Sequence, residues 1–307
     1  MVESSENIVV PPETEKAPLR QAGVSHLVIV GLGLVGGSLA RATRAAFPQA
    51  KISGIDRSVI LEVAKDEGFI DDGAETENAS SFLGEADLVV ICLPVLSIAK
   101  FLEEHQEALK EGAVITDVGS TKAGIVQRAR ELGLDRFVGG HPMAGRPQGG
   151  LANADADLVT GATWFLCPTV ETDLTAVAFA RQWVSQVGAL PVEIDAQEHD
   201  RQVALTSHLP HMLANALAEV VLEGGSLDAA GGSLKEILRV AGASFDVWGD
   251  TLGTNEPAVK DALLRLGNKL LGLAEELDDV DRLRDLFARG RACRERLREG
   301  EGAIGGD

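Results

Sequence analysis

Residues 28–40 read VIVGLGLVGGSLA, and no other stretch narrows the fold as far. A short apolar run rich in β-branched residues, HLVIVG (26–31), stops at glycine as a buried strand does. A helical run follows from Val35 to Phe47 and closes at Pro48. Between them Gly31, Gly33 and Gly36 stand in G-x-G-x-x-G spacing. The first permits a tight turn, the second lets a pyrophosphate approach the backbone, and the third lets helix and strand pack closely. The free N–H groups of the helix start, at Leu34 and Val35, then face an anion. The spacing alone is a weak signal; the flanking strand and helix make it a strong one.

A second strand, KISGID (51–56), ends on Asp56, twenty positions past Gly36. A carboxylate there hydrogen-bonds an adenine ribose diol and repels a 2′-phosphate, so NAD is expected over NADP. Arg57 beside it could pair with a 2′-phosphate, which keeps NADP as the weaker alternative. Further strands are expected at DLVVICL (87–93), AVITDV (113–118), RFVGG (136–140), TWFLC (163–167) and LPVEI (190–194), most of them separated by helices. That alternation predicts the α/β class: an N-terminal Rossmann-like, doubly wound, mostly parallel sheet over residues 24–195. After Asp195 only helical spacing remains, over 197–222, 233–243, 257–277 and 279–299, so residues 196–300 read as an all-α domain. Residues 1–23 read as a flexible lead and 301–307 as a flexible tail.

The formal charge is −19, from 28 basic against 47 acidic residues. It argues against nucleic acid or an anionic membrane surface as partner, and an anionic substrate would need a local basic group. No run of eighteen apolar residues occurs and the first twenty residues are acidic and polar, so neither a membrane span nor a signal peptide is expected. Cys92, Cys167 and Cys293 lie far apart and read as buried, reduced thiols of a cytoplasmic protein. His208 and His211 share one side of a helical turn, but His199 is nine residues away and no third ligand has convincing spacing, so no metal site is expected.

The carboxyl edge of such a sheet faces the ligand crevice. Leu93 and Pro94 end the third expected strand, and DVGSTK (117–122) ends the fourth. Ser120 is taken for the nicotinamide region, although Ser120 or Thr121 could equally cap the next helix; Lys122 is set aside. FVGGHPMAGRPQGG (137–150) holds five glycines and two prolines around His141. The glycines clear side chains away and the proline stiffens what reads as a loop. An imidazole there, beside a hydride carrier, is a candidate proton acceptor.

The motifs GLGLVGGSLA, DVGSTK, GGHPMAG and SHLPH, in this order, resemble the prephenate and arogenate dehydrogenases of tyrosine biosynthesis over about residues 25–290. The resemblance implies a nucleotide domain followed by a helical domain that forms a homodimer, and oxidative decarboxylation of a cyclohexadienol acid. It implies that His141 takes the proton of the ring hydroxyl and that Ser120 bridges this hydroxyl and the nicotinamide. It further implies that Arg239 holds a substrate carboxylate, that His208 and His211 are the paired histidines of the S-H-x-P-H run, and that Trp248 lines the pocket. Arg146, just after GGHPMAG, is expected near the substrate side chain, where relatives carry small or other polar residues. Retention of His211 favours prephenate over arogenate. A β-hydroxyacid dehydrogenase would need a helix lysine as proton acceptor, whereas Lys235, Lys260 and Lys269 lie on charged faces. A non-catalytic nucleotide-sensing dimer would have no use for Ser120, His141 and Arg239 together.

Overall fold

The computed structural model describes residues 23–146, 148–224 and 227–304. The lead expected over 1–23 falls outside them except for Gly23, as do residues 305–307 of the expected tail. The first half is an eight-stranded sheet in the order β3-β2-β1-β4-β5-β6-β7-β8. Its elements are β1 (His26–Val30), α1 (Leu34–Ala46), β2 (Lys51–Ile55), α2 (Ser58–Asp66), β3 (Asp72–Ala74), α3 (Ser80–Leu83), β4 (Leu88–Ile91) and α4 (Val95–His105). They continue with β5 (Val114–Asp117), α5 (Ala123–Glu131), β6 (Phe137–Pro142), β7 (Thr163–Cys167), α6 (Leu174–Gln186) and β8 (Leu190–Glu193).

Strands β1 to β6 pair in parallel. Successive side chains of a strand point to opposite faces, and here both faces are covered. Leu27, Ile29, Leu88 and Val90 pack with Trp164 and Trp183 on one side. Val28, Val30, Val89 and Ile91 pack with Phe101 and Leu102 on the other. That double burial is why these strands read as unbroken apolar runs. Strand order reverses between β1 and β4, and in open α/β sheets the ligand crevice opens at such a switch point.

The edge strand β3 was not anticipated, because its three residues, Asp-Gly-Ala, carry no apolar signal. Strand β7 runs antiparallel to β6; the described residues between them form no α-helix that could carry a parallel crossover. His141 and Pro142, expected on a loop, continue β6 and pair with Phe165 and Trp164. The imidazole is therefore held by a strand register.

The second half is helical: α7 (Ala196–Val203), α8 (Leu209–Gly224), α9 (Gly232–Leu238), α10 (Phe245–Thr254), α11 (Glu256–Glu275) and α12 (Val280–Ile304). The single helix expected over 197–222 is broken by a π-helical turn at Ala204–His208. Pro210 lacks an N–H and its ring would collide with the Thr206 carbonyl in a regular α-helix, and the wider turn accommodates it. Helix α10 escaped notice because Gly249 and Gly253 weaken its helical pattern. Helix α12 continues through residues 301–304 of the expected tail. Phe245, Leu264, Leu271 and Phe287 leave large apolar side chains exposed on this half. Burial pushes the Cys167 thiol up to about 12 and Cys92 higher still, while Cys293 is exposed on α12, contrary to expectation. Among the described residues no helix is long and apolar enough to cross a membrane.

Candidate active site

The glycine turn is tight at Gly31 and closely packed at Gly36. Gly31 has φ of +92°, and a Cβ there would lie 2.5 Å from the Cys92 carbonyl oxygen. A Cβ on Gly36 would come within 1.9 Å of the Gly31 oxygen, whereas one on Gly33 would meet nothing within 4 Å. The space over Gly33 is open, and α1 begins directly after that residue with no side chain capping its N–H groups. Asp56 closes the turn: Oδ2 accepts from Leu32 N and Oδ1 from Arg57 N, each at 2.7 Å. The Arg57 side chain is exposed, 3.9 Å from Asp56. Leu93 would touch a Cβ on Gly31, and Pro94 starts α4 at the mouth of the crevice. An open anion site at a helix start, with an acceptor-only carboxylate at the end of β2, fits a dinucleotide. Arg146 does not stand free near the substrate region: its Nη2 donates to Asp155 Oδ2 at 2.6 Å, and Asp155 N donates to Ser38 Oγ of α1.

Next to this crevice, Asp117 and Asp200 hold the backbone. Asp117 Oδ1 accepts from Gly140 N at 2.9 Å, and Oδ2 accepts from Gly119 N at 2.8 Å and from Lys122 Nζ. The Asp117 and Lys122 side chains are wholly buried. One carboxylate thus ties the turn bearing Ser120 to the strand residue preceding His141. Asp200 accepts from Lys122 N at 2.7 Å and from Ala123 N at 2.9 Å. The start of α5 is satisfied by that carboxylate and not by Ser120 or Thr121, as the capping alternative supposed. Thr121 instead shares a hydrogen bond with Thr254 at 2.8 Å. Ser120 is half-buried beside them.

His141 is half-buried. Its Nδ1 lies 2.9 Å from His199 Nε2, and His199 Nδ1 lies 2.8 Å from Asp200 Oδ1. Burial holds the His141 proton affinity well below that of a free imidazole, and the Lys122 charge pushes it in the same direction. His199, Asp200, Asp117 and Lys122 were not selected from the sequence as site residues. Glu-His-Asp at 198–200 looks there like the acidic first turn of a helix, which it also is.

The helical half contributes a second group. His208 is buried, and Asn255 Nδ2 meets its Nδ1 at 3.3 Å while also donating to the Asp200 carbonyl at 2.7 Å. Burial is the main cause that pushes His208 down to about 4. Trp248 stands edge-on to His208 with ring centroids 5.7 Å apart, and tilts over His211 at 3.9 Å. Among the described residues, His211 Nδ1 is buried without a hydrogen-bond partner. Burial lowers the proton affinity of His211, and Arg239 lowers it further against the pull of the Val240 carbonyl. Arg239 is exposed on a 3₁₀ turn, Arg239–Gly242. The structure therefore brings His208, His211 and Trp248 together, with the Arg239 charge felt at His211. His208 is neutral and engaged by Asn255.

These shifts carry a consequence for stability. His141 and His208 stay neutral in the folded chain at pH values where a free imidazole, of pKa about 6.5, takes a proton. Below that pH the unfolded chain binds more protons than the folded one. Their contribution to stability is complete above pH ~6.5 and is lost as the pH falls toward the His208 value. The melting temperature should stay level between pH 8 and 7 and fall from pH 6.5 to 5. A melting temperature that rises over that acid interval would contradict the burial of neutral histidines.

Residues 39–193 match the prephenate dehydrogenase nucleotide-binding domain, and residues 195–289 match the prephenate dehydrogenase dimerization domain. A cyclohexadienyl dehydrogenase of Zymomonas mobilis is 31% identical over 245 residues, covering 78% of this chain and 83% of that protein. The crystal structure of prephenate dehydrogenase from A. aeolicus in complex with hydroxyphenyl propionate and NAD+ superposes with a TM-score of 0.85 at 27% identity, over 91% of this chain and 100% of that one. Synechocystis arogenate dehydrogenase superposes at 0.80 and 26%, over 89% and 99%.

Proposed function

The chain belongs to the prephenate dehydrogenase family, and from that premise we propose that it is an NAD-dependent enzyme converting prephenate to 4-hydroxyphenylpyruvate in tyrosine biosynthesis. The observation that carries the reading is His141 at the carboxyl edge of the sheet, with Nδ1 engaged by His199 and Nε2 left to meet a substrate beside the nucleotide crevice.

Gly31, Gly33 and Gly36, with the N–H groups at Leu34 and Val35, would hold the pyrophosphate, and Asp56 the ribose diol. Leu93, Pro94 and Ser120 would flank the nicotinamide. When bound, NAD supplies the acceptor for a hydride. As the hydroxyl-bearing ring carbon is oxidised, its O–H bond must break or positive charge builds on oxygen. His141 Nε2 takes that proton, a service worth roughly 10²–10⁴ in rate. The bond from the ring to its carboxylate breaks, carbon dioxide leaves, and the freed electron pair completes the aromatic ring. His141 then returns the proton to the phenolate oxygen, so no proton is released overall. Ser120 orients the hydroxyl. Arg239, whose planar fork can grip both oxygens of a carboxylate, holds the substrate, while Trp248 and His211 line its other side. The exposed apolar side chains of the helical half and its dimerization-domain match support a homodimer.

The likeness to Synechocystis arogenate dehydrogenase keeps arogenate as a second reading. Comparing kcat/KM for the two substrates decides between them: prephenate should be used at least about tenfold better. Turnover of arogenate alone would overturn the finer reading, and NADH from neither substrate would overturn both. NAD should likewise be preferred over NADP by about tenfold or more, about 1.4 kcal/mol, because Asp56 repels a 2′-phosphate. A reversed preference in steady-state kinetics would give control of that pocket to Arg57.

A further inference from the structure

We propose that His199 and Asp200 position His141 for proton transfer by dictating which of its ring nitrogens carries the proton. The inference rests on His141 being the proton acceptor, and it follows from counting donors and acceptors along one buried chain.

The ionised Asp200 carboxylate can only accept hydrogen bonds. It already receives Lys122 N and Ala123 N, so His199 Nδ1, at 2.8 Å, must be the donor. In its neutral form an imidazole has one N–H, so a neutral His199 that donates to Asp200 presents a lone pair at Nε2. The 2.9 Å contact from His199 Nε2 to His141 Nδ1 then requires the proton on His141 Nδ1. The lone pair of His141 is left on Nε2, the nitrogen free to meet a substrate. Free neutral histidine favours the opposite form, with Nε2 protonated and useless as a base. The buried chain reverses that preference.

The chain is held at each link. His199 is wholly buried, with the Phe165 ring edge-on at 5.3 Å. Asp200 is fixed by two backbone N–H groups at the start of α5, and its own carbonyl is held by Asn255. When His141 takes the substrate proton, the new positive charge faces a donor-acceptor chain ending in a carboxylate. The proton is thereby held until the phenolate oxygen recovers it.

The test is nitrogen-15 NMR of the full chain with labelled histidine, in which protonated and lone-pair ring nitrogens resonate far apart. The chain has six histidines, and the His141 signals are assigned by their loss in His141→Asn. At neutral pH, without substrate, His141 should carry its proton on Nδ1; a proton on Nε2 would overturn the proposal. His199→Phe keeps the ring but removes the acceptor. It should shift the His141 proton to Nε2 and lower kcat roughly 10–100-fold, as for partners that orient metal-bound histidines, with KM unchanged. His199→Gln offers an amide oxygen near the lost Nε2 and should recover part of that kcat. An unchanged kcat in His199→Phe, or a Gln variant no better than the Phe variant, would also overturn the proposal. If neither variant folds, the wild-type spectrum alone decides. Since that spectrum needs no substrate, a Nδ1 proton in a chain inert toward prephenate would sink the substrate reading and leave this one standing.

Discussion

His141→Asn should lower kcat by roughly 10²–10⁴, the contribution expected of a general base, and leave KM for the substrate within a few-fold. Asparagine keeps a polar side chain of modest size on β6, whose register is set by backbone pairing with β7. It has no nitrogen that can take up a proton at neutral pH. On the proposed mechanism ground-state binding falls to Arg239, Trp248 and His211, which the substitution does not touch, so the loss should appear in turnover. The pH profile provides a second reading. The neutral imidazole is the active form, so activity is lost as the pH falls through the His141 value. A free imidazole would place that inflection near 6.5, but burial and the neighbouring Lys122 charge hold it lower. The acid limb of the wild-type kcat/KM should therefore lie below pH 6.5 and should vanish in the variant. Near wild-type turnover with the acid limb intact would demote His141 to a residue of the strand alone.

Asp117→Ala should destabilise the fold by about 3–5 kcal/mol, the usual cost of removing one partner from a buried ion pair. The Lys122 ammonium would remain wholly buried without a countercharge. Gly140 N and Gly119 N would lose their acceptor as well, and each orphaned donor adds roughly 1–3 kcal/mol. Against a total stability of about 5–15 kcal/mol, that brings the chain close to unfolding at 37 °C. Asp117→Asn combined with Lys122→Met removes both charges and keeps an oxygen for one of the two backbone donors. The pair should recover a large part of the loss, measured by urea denaturation. A single Asp117→Ala variant within about 1 kcal/mol of the wild type would show that water or another group reaches Lys122.

What was legible in the sequence is what is local along it. The G-x-G-x-x-G turn, its strand and helix, and Asp56 at the end of the next strand lie within thirty residues, and each carries its own chemical reason. The buried strands announced themselves because both faces of the sheet are covered. His141 was conspicuous because the glycines around it are incompatible with a helix. The groups that hold His141 in place were not legible, since they are distant in sequence. His199 is 58 residues from His141, and Asp200 is 78 residues from the Lys122 amide it accepts. Nothing in Asp-Val-Gly-Ser-Thr-Lys says that its lysine folds back, wholly buried, onto its own aspartate. Arg239 and Trp248 were marked only by resemblance. The direction of β7 and the π turn before Pro210 depend on packing that a one-dimensional pattern does not contain.

On the proposed mechanism one substrate loses a hydride and carbon dioxide in a single coupled event at His141. The direct measurement is product stoichiometry with purified protein, prephenate and NAD, following NADH by absorbance, carbon dioxide by trapping and 4-hydroxyphenylpyruvate by chromatography. The three products should appear in a ratio of one to one to one from the first turnovers onward. NADH formed without carbon dioxide, or carbon dioxide and an aromatic product formed without NADH, would contradict it.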